Sequence, residues 1–302
     1  MKAITRFLFG SAPPRQYETL KISADEIQEH VDICGQGGPY DITHSHYILC
    51  QSPFVVAIFT KNPIADKPTV RIRSNTNKTI AKAALLQVGA IALKAGLLQL
   101  YHVESVSVPV LSWFRFTGLI GYFFLKRKNR ITFNQLKLFS VFFLYPRKVV
   151  LICVGQGSRF NCFPMDLQGN IGSDHVVLGL RNTNVSMNTI KEDGVFVVAE
   201  VSADFVDTIY DLGRHHSNKP PSLDKLPFRL KLSRRYQIPI PEFAFSYVEC
   251  SFTSSMNLGS HSLIIGEVQQ TRLTNSLAVL YHRHIIARLA KLHDYQTLEQ
   301  RF

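Results

Sequence analysis

The chain is mainly β with α additions: its second half predicts a β-barrel, preceded by an α/β extension and followed by a helix. Three observations predict this. Short apolar runs recur from residue 148 onward, namely KVVLICVGQG, HVVLGLR, VFVVAEV, FAFSYVECSFTSSM and SLIIGEV. Each is rich in β-branched or aromatic residues and bounded by turn formers. Only one or two helical segments are interposed, so the strands pair over medium distances, as in a barrel. The third observation is the Ala/Leu-rich stretch ahead of these strands and the helical spacing of apolar residues in the tail.

Length and composition bound the rest. The chain has 302 residues, room for one large or two ordinary domains. Hydrophobic residues are 46% and charged residues 19%, a globular composition. A formal net charge of +12 suits an anionic partner: nucleic acid, a membrane surface or a phosphorylated cofactor. No RNA-binding aromatic signature or zinc-finger spacing accompanies it, so nucleic acid ranks low. Cys34, Cys50, Cys153, Cys162 and Cys250 are odd in number and form no CxxC pair. They predict a reducing, cytoplasmic setting and no zinc site. The opening MKAITRFLFG has no long apolar core or cleavage site, so no signal peptide is expected. The segment VPVLSWFRFTGLIGYFFL (residues 108–125) is interrupted by Arg115, a proline and two glycines. It also falls short of the ~20 apolar residues of a membrane span. A buried segment followed by the exposed run KRKNR is expected instead.

Taken in order, DITHSHYILC (41–50) and PFVVAIFT (53–60) predict strands. KTIAKAALLQVGAIALKAGLLQLY (78–101) predicts a buried helix, started by Asn75–Asn77 and broken near Gly89 or Gly96. VESVSVPV is strand-like. His44 and His46 would share a strand face, a structural pair rather than metal ligands for want of a third. In the second half, KVVLICVGQG is a buried strand ending in a Gly-x-Gly turn, followed by NCFPMDLQGN and the buried strand HVVLGLR. NTNVSMNTIKEDG predicts a short helix capped by Asn182, Thr183 or Asn184 and stopped by Gly194. VFVVAEV is the next strand. Residues 213–226, with His215 and His216, form a Pro/Lys/Ser-rich loop, either a solvated turn or a lid. In GSHSLIIGEV (259–268), Gly259 and Ser260 make a turn before a buried strand, with His261 at its mouth. Leu277, Leu280, Tyr281, Ile285, Leu289 and Leu292 then fall on one helical face, predicting a C-terminal amphipathic helix within 276–302.

The order of these pieces carries a resemblance. YPRKVVLICVGQG, NCFPMDLQG, HVVLGLRNTNVSMNTIKEDGVFVV and FAFSYVECSFTSSMNLGSHSLIIGEV together resemble the flavin reductase-like family of FMN-binding split barrels, over residues 131–275. The resemblance implies a split β-barrel that binds FMN or FAD. It implies hydride transfer from NADH or NADPH to flavin, and a homodimer with flavin near the subunit interface. Residues 1–130 would be an extension of unknown role.

By that resemblance, phosphate is held by Arg181, Asn182, Thr183 and Asn184, with Ser186 beside them. A charged fork and polar donors at a helix start suit an anion, although an ordinary capped strand-to-helix loop has the same composition. The flavin ring would lie on the strand after Asn161, against Phe163, Pro164, Met165, Asp166 and Leu167, with core packing the plain alternative for Phe163 and Met165. Family members carry small hydroxyl residues here. In this chain Pro164 removes a donor N–H, and Asp166 brings a negative charge that disfavours anionic reduced flavin. His261, the catalytic candidate, would face the flavin or the nicotinamide, its neighbour Ser260 standing where the family has aspartate. Pattern alone makes His261 structural.

The rival reading is a non-catalytic flavin-binding or flavin-less interaction protein on the same scaffold, favoured by the FPMD departure. A third is a basic nucleic-acid-binding barrel. No GxSxG elbow, HExxH helix, P-loop or Rossmann glycine pattern is present.

Overall fold

The computed structural model describes residues 16–35, 38–126, 132–214, 223–274, 278–289 and 295–298. The opening segment, most of the KRKNR run and the His215-His216 pair lie outside these residues.

The first half holds β1 (Tyr17–Ile22), β2 (His30–Gly35), β3 (Gly38–Asp41), β4 (His46–Gln51), β5 (Phe54–Thr60), β6 (Thr69–Arg73), β7 (Thr79–Leu93) and β8 (Gly96–Ser107). Helices α1 (Trp113–Lys126) and α2 (Phe133–Phe142) follow. A capping box starts α2: Gln135 N–H donates to Thr132 Oγ1 at 3.2 Å, and Thr132 N–H to Gln135 Oε1 at 2.9 Å. Strands β2 to β8 form one seven-stranded antiparallel sheet in the order β3-β2-β6-β7-β8-β5-β4. Val31, Ile33, Ile58 and Ile72 of this sheet pack with Phe116, Leu119, Leu136 and Phe142 of the helices. Among the described residues no helix is long and apolar enough to cross a membrane.

The second half holds β9 (Arg147–Lys148), β10 (Val150–Val154), β11 (Asn161–Met165), β12 (Gln168–Ile171), β13 (His175–Arg181), α3 (Ser186–Asp193), β14 (Val195–Val201) and α4 (Val206–Gly213). After these come β15 (Leu230–Leu232), β16 (Pro239–Pro241), β17 (Ala244–Asn257) and β18 (His261–Arg272). A second seven-stranded antiparallel sheet runs β11-β10-β14-β17-β18-β13-β12, the half-open sheet of a split barrel. Strand β10 is apolar throughout because both of its faces are covered. Val150, Ile152 and Val154 point into the barrel with Phe163, Met165 and Leu178. Leu151 and Cys153 face Ile209 and Leu212 of α4 and Ile240 of β16. Gly194 ends α3 in the left-handed region at φ 69°, the stop expected for it.

Two expectations are corrected. The Ala/Leu-rich segment is no helix but the long hairpin β7–β8. Ala81, Ala83 and Leu85 are buried while Lys82 and Val88 are exposed, so the alternation of a strand is present. It was hidden because the outward face carries Ala and Val as well as charge, and pairing on both sides overrides helix propensity. The tail is likewise no long amphipathic helix. It forms β19 (Val279–His284), a single turn α5 (Ile286–Leu289) and β20 (Thr297–Leu298). Strand β19 lies antiparallel between β1 and β9, pairing Tyr17 with His284 and Ile22 with Val279. Buried on both faces, it shows no alternation, and a short covered strand then mimics helical spacing. Arg283 in this strand is 1% exposed and bonds Glu18 of β1 at 2.9 Å, so β1 and β19 are joined by a buried ion pair.

Candidate functional site

The corner GSH takes its shape from the first half of the chain. Strand β4 and the β4–β5 turn lie across β12, β13 and β18. Tyr47, Leu49, Val55 and Ala57 form one apolar cluster with Ile171, Val177, Leu263 and Ile265. Two glycines permit the approach. A Cβ on Gly179 would sit 2.1 Å from the Leu49 carbonyl oxygen. One on Gly259, at φ +116°, would sit 2.5 Å from that of Ser52. Ser260 N–H donates to the Ser52 carbonyl at 2.7 Å, and Ser52 N–H to Ser260 Oγ at 3.0 Å.

His261 is therefore 3% exposed rather than open at a barrel lip. Its Nδ1 lies 2.8 Å from Ser260 Oγ and 3.8 Å from the Cys50 thiol. Burial, then the Arg181 charge, push its pKa down to about 4, so the ring is neutral. Arg181 is its register partner at the exposed end of β13.

The loop after Arg181 is pinned rather than loose. Asn182 Nδ2 donates to the Gly259 carbonyl at 2.6 Å, and its Oδ1 accepts from Ser262 Oγ at 2.8 Å. Asn184 is buried, and its Oδ1 accepts from Ser186 N–H at 2.9 Å. Ser186 Oγ in turn accepts from Asn161 Nδ2 at 2.7 Å. Asn161, Asn184 and Ser186 thus form one buried polar chain that seats α3 on β11. The Asn184 carbonyl also takes the Met187 N–H at 3.1 Å, so the first helix donors are satisfied within the chain. Arg181 and Thr183 are the exposed polar side chains left to meet a phosphate, and Arg181 forms no ion pair among the described residues. That donor set fits an anion.

The strand expected against a ring divides differently. Phe163 and Met165 sit in the barrel interior, so core packing accounts for both. Pro164 lies over α4, where a Cβ on Gly213 would come within 3.1 Å of its ring. Leu167 joins the core of the first half. Asp166 alone of this set lines a cavity, of about 270 Å³, and its Oδ2 lies 3.2 Å from His282 Nδ1.

Beside His44 and His46, which were expected to be structural, that cavity holds Arg147, Lys148, Tyr47 and Gln168, which the sequence did not single out. It lies between the two halves. His46 belongs to β4 and is buried, whereas His44 precedes the strand and is exposed, so the two do not share a strand face. The one sequence signal was the Arg-Lys pair directly ahead of the continuous apolar strand. Among the described residues, no group of three or more His, Cys, Asp and Glu could hold a metal ion. All five cysteines are free thiols.

Comparison with known proteins adds the following. Residues 142–290 match the family model of the flavin reductase like domain. An uncharacterized protein of Archaeoglobus fulgidus is 25% identical over 128 residues, which is 42% of this chain and 72% of that protein. An uncharacterized protein of Pyrococcus abyssi is 24% identical over 127 residues, covering 41% and 73%. Among solved structures, the NADH:FAD oxidoreductase SgcE6 of Streptomyces globisporus C-1027 shows 17% identity and a TM-score of 0.46, covering 52% of this chain and 94% of that one. An FMN-binding protein from Thermus thermophilus with bound p-hydroxybenzaldehyde shows 19% identity and a TM-score of 0.40, covering 45% and 82%.

Proposed function

We propose that this chain, whose residues 142–290 form a flavin reductase-like domain, binds FMN or FAD and takes a hydride from NADH or NADPH. The observation that carries the reading is Arg181: an exposed guanidinium without an ion pair among the described residues, at the end of β13, above a loop pinned from both sides. Such a fork suits a phosphate, and a fixed loop loses little entropy on binding. Thr183 offers a hydroxyl beside it. A bound flavin would supply the hydride acceptor.

The remaining residues act by position. His261, neutral across the physiological range, fixes the Ser260 hydroxyl and with it the corner beside Arg181. A neutral ring is a weak acid, and hydride transfer between two cofactors asks for orientation rather than acid catalysis. Asn161, Asn184 and Ser186 hold the loop and the start of α3. Asp166 is the side chain of the Asn161–Leu167 stretch that meets a cavity. Its carboxylate favours a second reading, a flavin carrier without reductase activity, because a nearby negative charge opposes an anionic reduced ring. Five free thiols are in keeping with a cytoplasmic protein.

The test is a spectrum of the protein desalted after incubation with excess FMN, followed by anaerobic NADH and NADPH. Retained flavin that bleaches with either donor supports the reductase, and retained flavin that does not bleach supports the carrier. If no flavin is retained and free FMN is not reduced either, the proposal fails.

A further inference from the structure

The two seven-stranded sheets are the same sheet twice. Numbered in chain order, β2 to β8 are arranged second, first, fifth, sixth, seventh, fourth, third; so are β10, β11, β12, β13, β14, β17 and β18. Both sheets are antiparallel throughout, and their registers agree. Ile33 pairs with Tyr40 and Val70 as Ile152 pairs with Phe163 and Val198. Val55 and Val56 face His102 and Tyr101 as Val176 and Val177 face Gly266 and Ile265. This register sets Ile33 and Cys34 against Ile152 and Cys153, and Val55 and Val56 against Val176 and Val177. The first half thus repeats the strand order of the barrel unit inside one chain.

The seam between the copies contains a buried cation. Arg147 is 7% exposed, and burial lowers its pKa to about 10. Its guanidinium donates to the Phe142 carbonyl from Nε at 3.2 Å and Nη2 at 3.1 Å. It also donates to the His46 carbonyl from Nη1 at 3.2 Å, and to His46 Nε2 from Nη2 at 2.7 Å. The imidazole can accept there because its Nδ1–H is given to the Ile42 carbonyl at 2.8 Å, and burial with the Arg147 charge keeps it neutral. These bonds satisfy donors but leave the charge whole. Asp166, the carboxylate whose field reaches Arg147, is engaged with His282 instead. Among the described residues Arg147 has no ion-pair partner; a buried charge left so is costly, and an anion in the adjoining cavity would remove the cost.

We infer that the cavity between the two internal copies is an anion site, in which Arg147 and Gln168 on one side and His44 of the first copy on the other hold a phosphate or carboxylate group, with His46 orienting the guanidinium. Two copies that each supply part of one chamber make one site per chain. The cavity is the one that Asp166 lines in the flavin reading, but the inference concerns a different cation from Arg181, so its failure and the failure of that reading are read separately.

Calorimetric titration of the full chain with inorganic phosphate, at constant ionic strength in chloride and in the Arg181→Ala background, tests it without any flavin. One phosphate per chain is expected. Gln168→Glu and His44→Glu, each placing a negative charge at the cavity wall without touching the Arg147 bonds, should each weaken binding at least about tenfold. No binding in the Arg181→Ala background, or binding indifferent to both substitutions, would overturn the site. Loss with Gln168→Glu alone would remove the first copy from it.

Discussion

Ser260 Oγ bridges the two halves of the molecule: it accepts from Ser52 N–H at 3.0 Å and lies 2.8 Å from Nδ1 of His261. The imidazole beneath it is neutral because it is buried and because Arg181 lies nearby. The same neutral state holds at His46, under Arg147. Both rings therefore report on whether the first copy stays seated.

The pH dependence follows with a definite sign. The folded pKa of His261, about 4, lies below the ordinary value of 6.5, so between these limits the unfolded chain binds more protons. Stability is then complete above the ordinary value and declines as pH falls toward the folded one. We expect a loss on the order of 1–3 kcal/mol from this ring, with His46 adding in the same direction. Denaturant titrations at about pH 7 and about pH 5 should show it, and His261→Gln should flatten the slope. Equal slopes in the two proteins would assign the dependence elsewhere.

Gly179→Ala should be among the most damaging small changes in the chain. Its methyl would meet the backbone of Leu49, not a side chain that can swing away. Relief requires lifting β4 off β13, and overpacking of this kind costs about 1–3 kcal/mol or more. Limited proteolysis should cleave near the β4–β5 turn in the variant and not in the parent chain.

Ser186→Ala removes the acceptor of Asn161 Nδ2 at a buried position. A cost of about 1–3 kcal/mol is expected in chemical denaturation. Flavin affinity should fall with it if the polar chain holds the loop, and a stable variant with unchanged affinity would show that the loop stands without it.

Arg181→Ala should weaken FMN binding about tenfold or more while leaving riboflavin, which lacks the phosphate, little changed. Fluorescence titration of both ligands reads the difference. An equal loss for both would mean that Arg181 shapes the site rather than holding phosphate.

Much of the second half was legible from residues alone. Strands β10, β13, β14, β17 and β18, helix α3 and its glycine stop follow from local pattern, because turn formers and caps act within a few residues of the elements they bound. Phe163 and Met165 were expected against a ring, with core packing the alternative, and they lie in the barrel interior. The first half was less legible. An Ala/Leu run with hydrophobic residues on its outer face has no local feature that separates strand from helix, and its partners β6 and β8 supply the difference. Strand β19 depends in the same way on β1, more than 250 residues earlier in the chain. Burial of His261, isolation of the Arg147 charge and repetition of one sheet inside the chain are all long-range facts. Side-chain chemistry and local turns are written residue by residue, whereas coverage, counter-charge and pairing are set by segments far apart in sequence that meet only on folding.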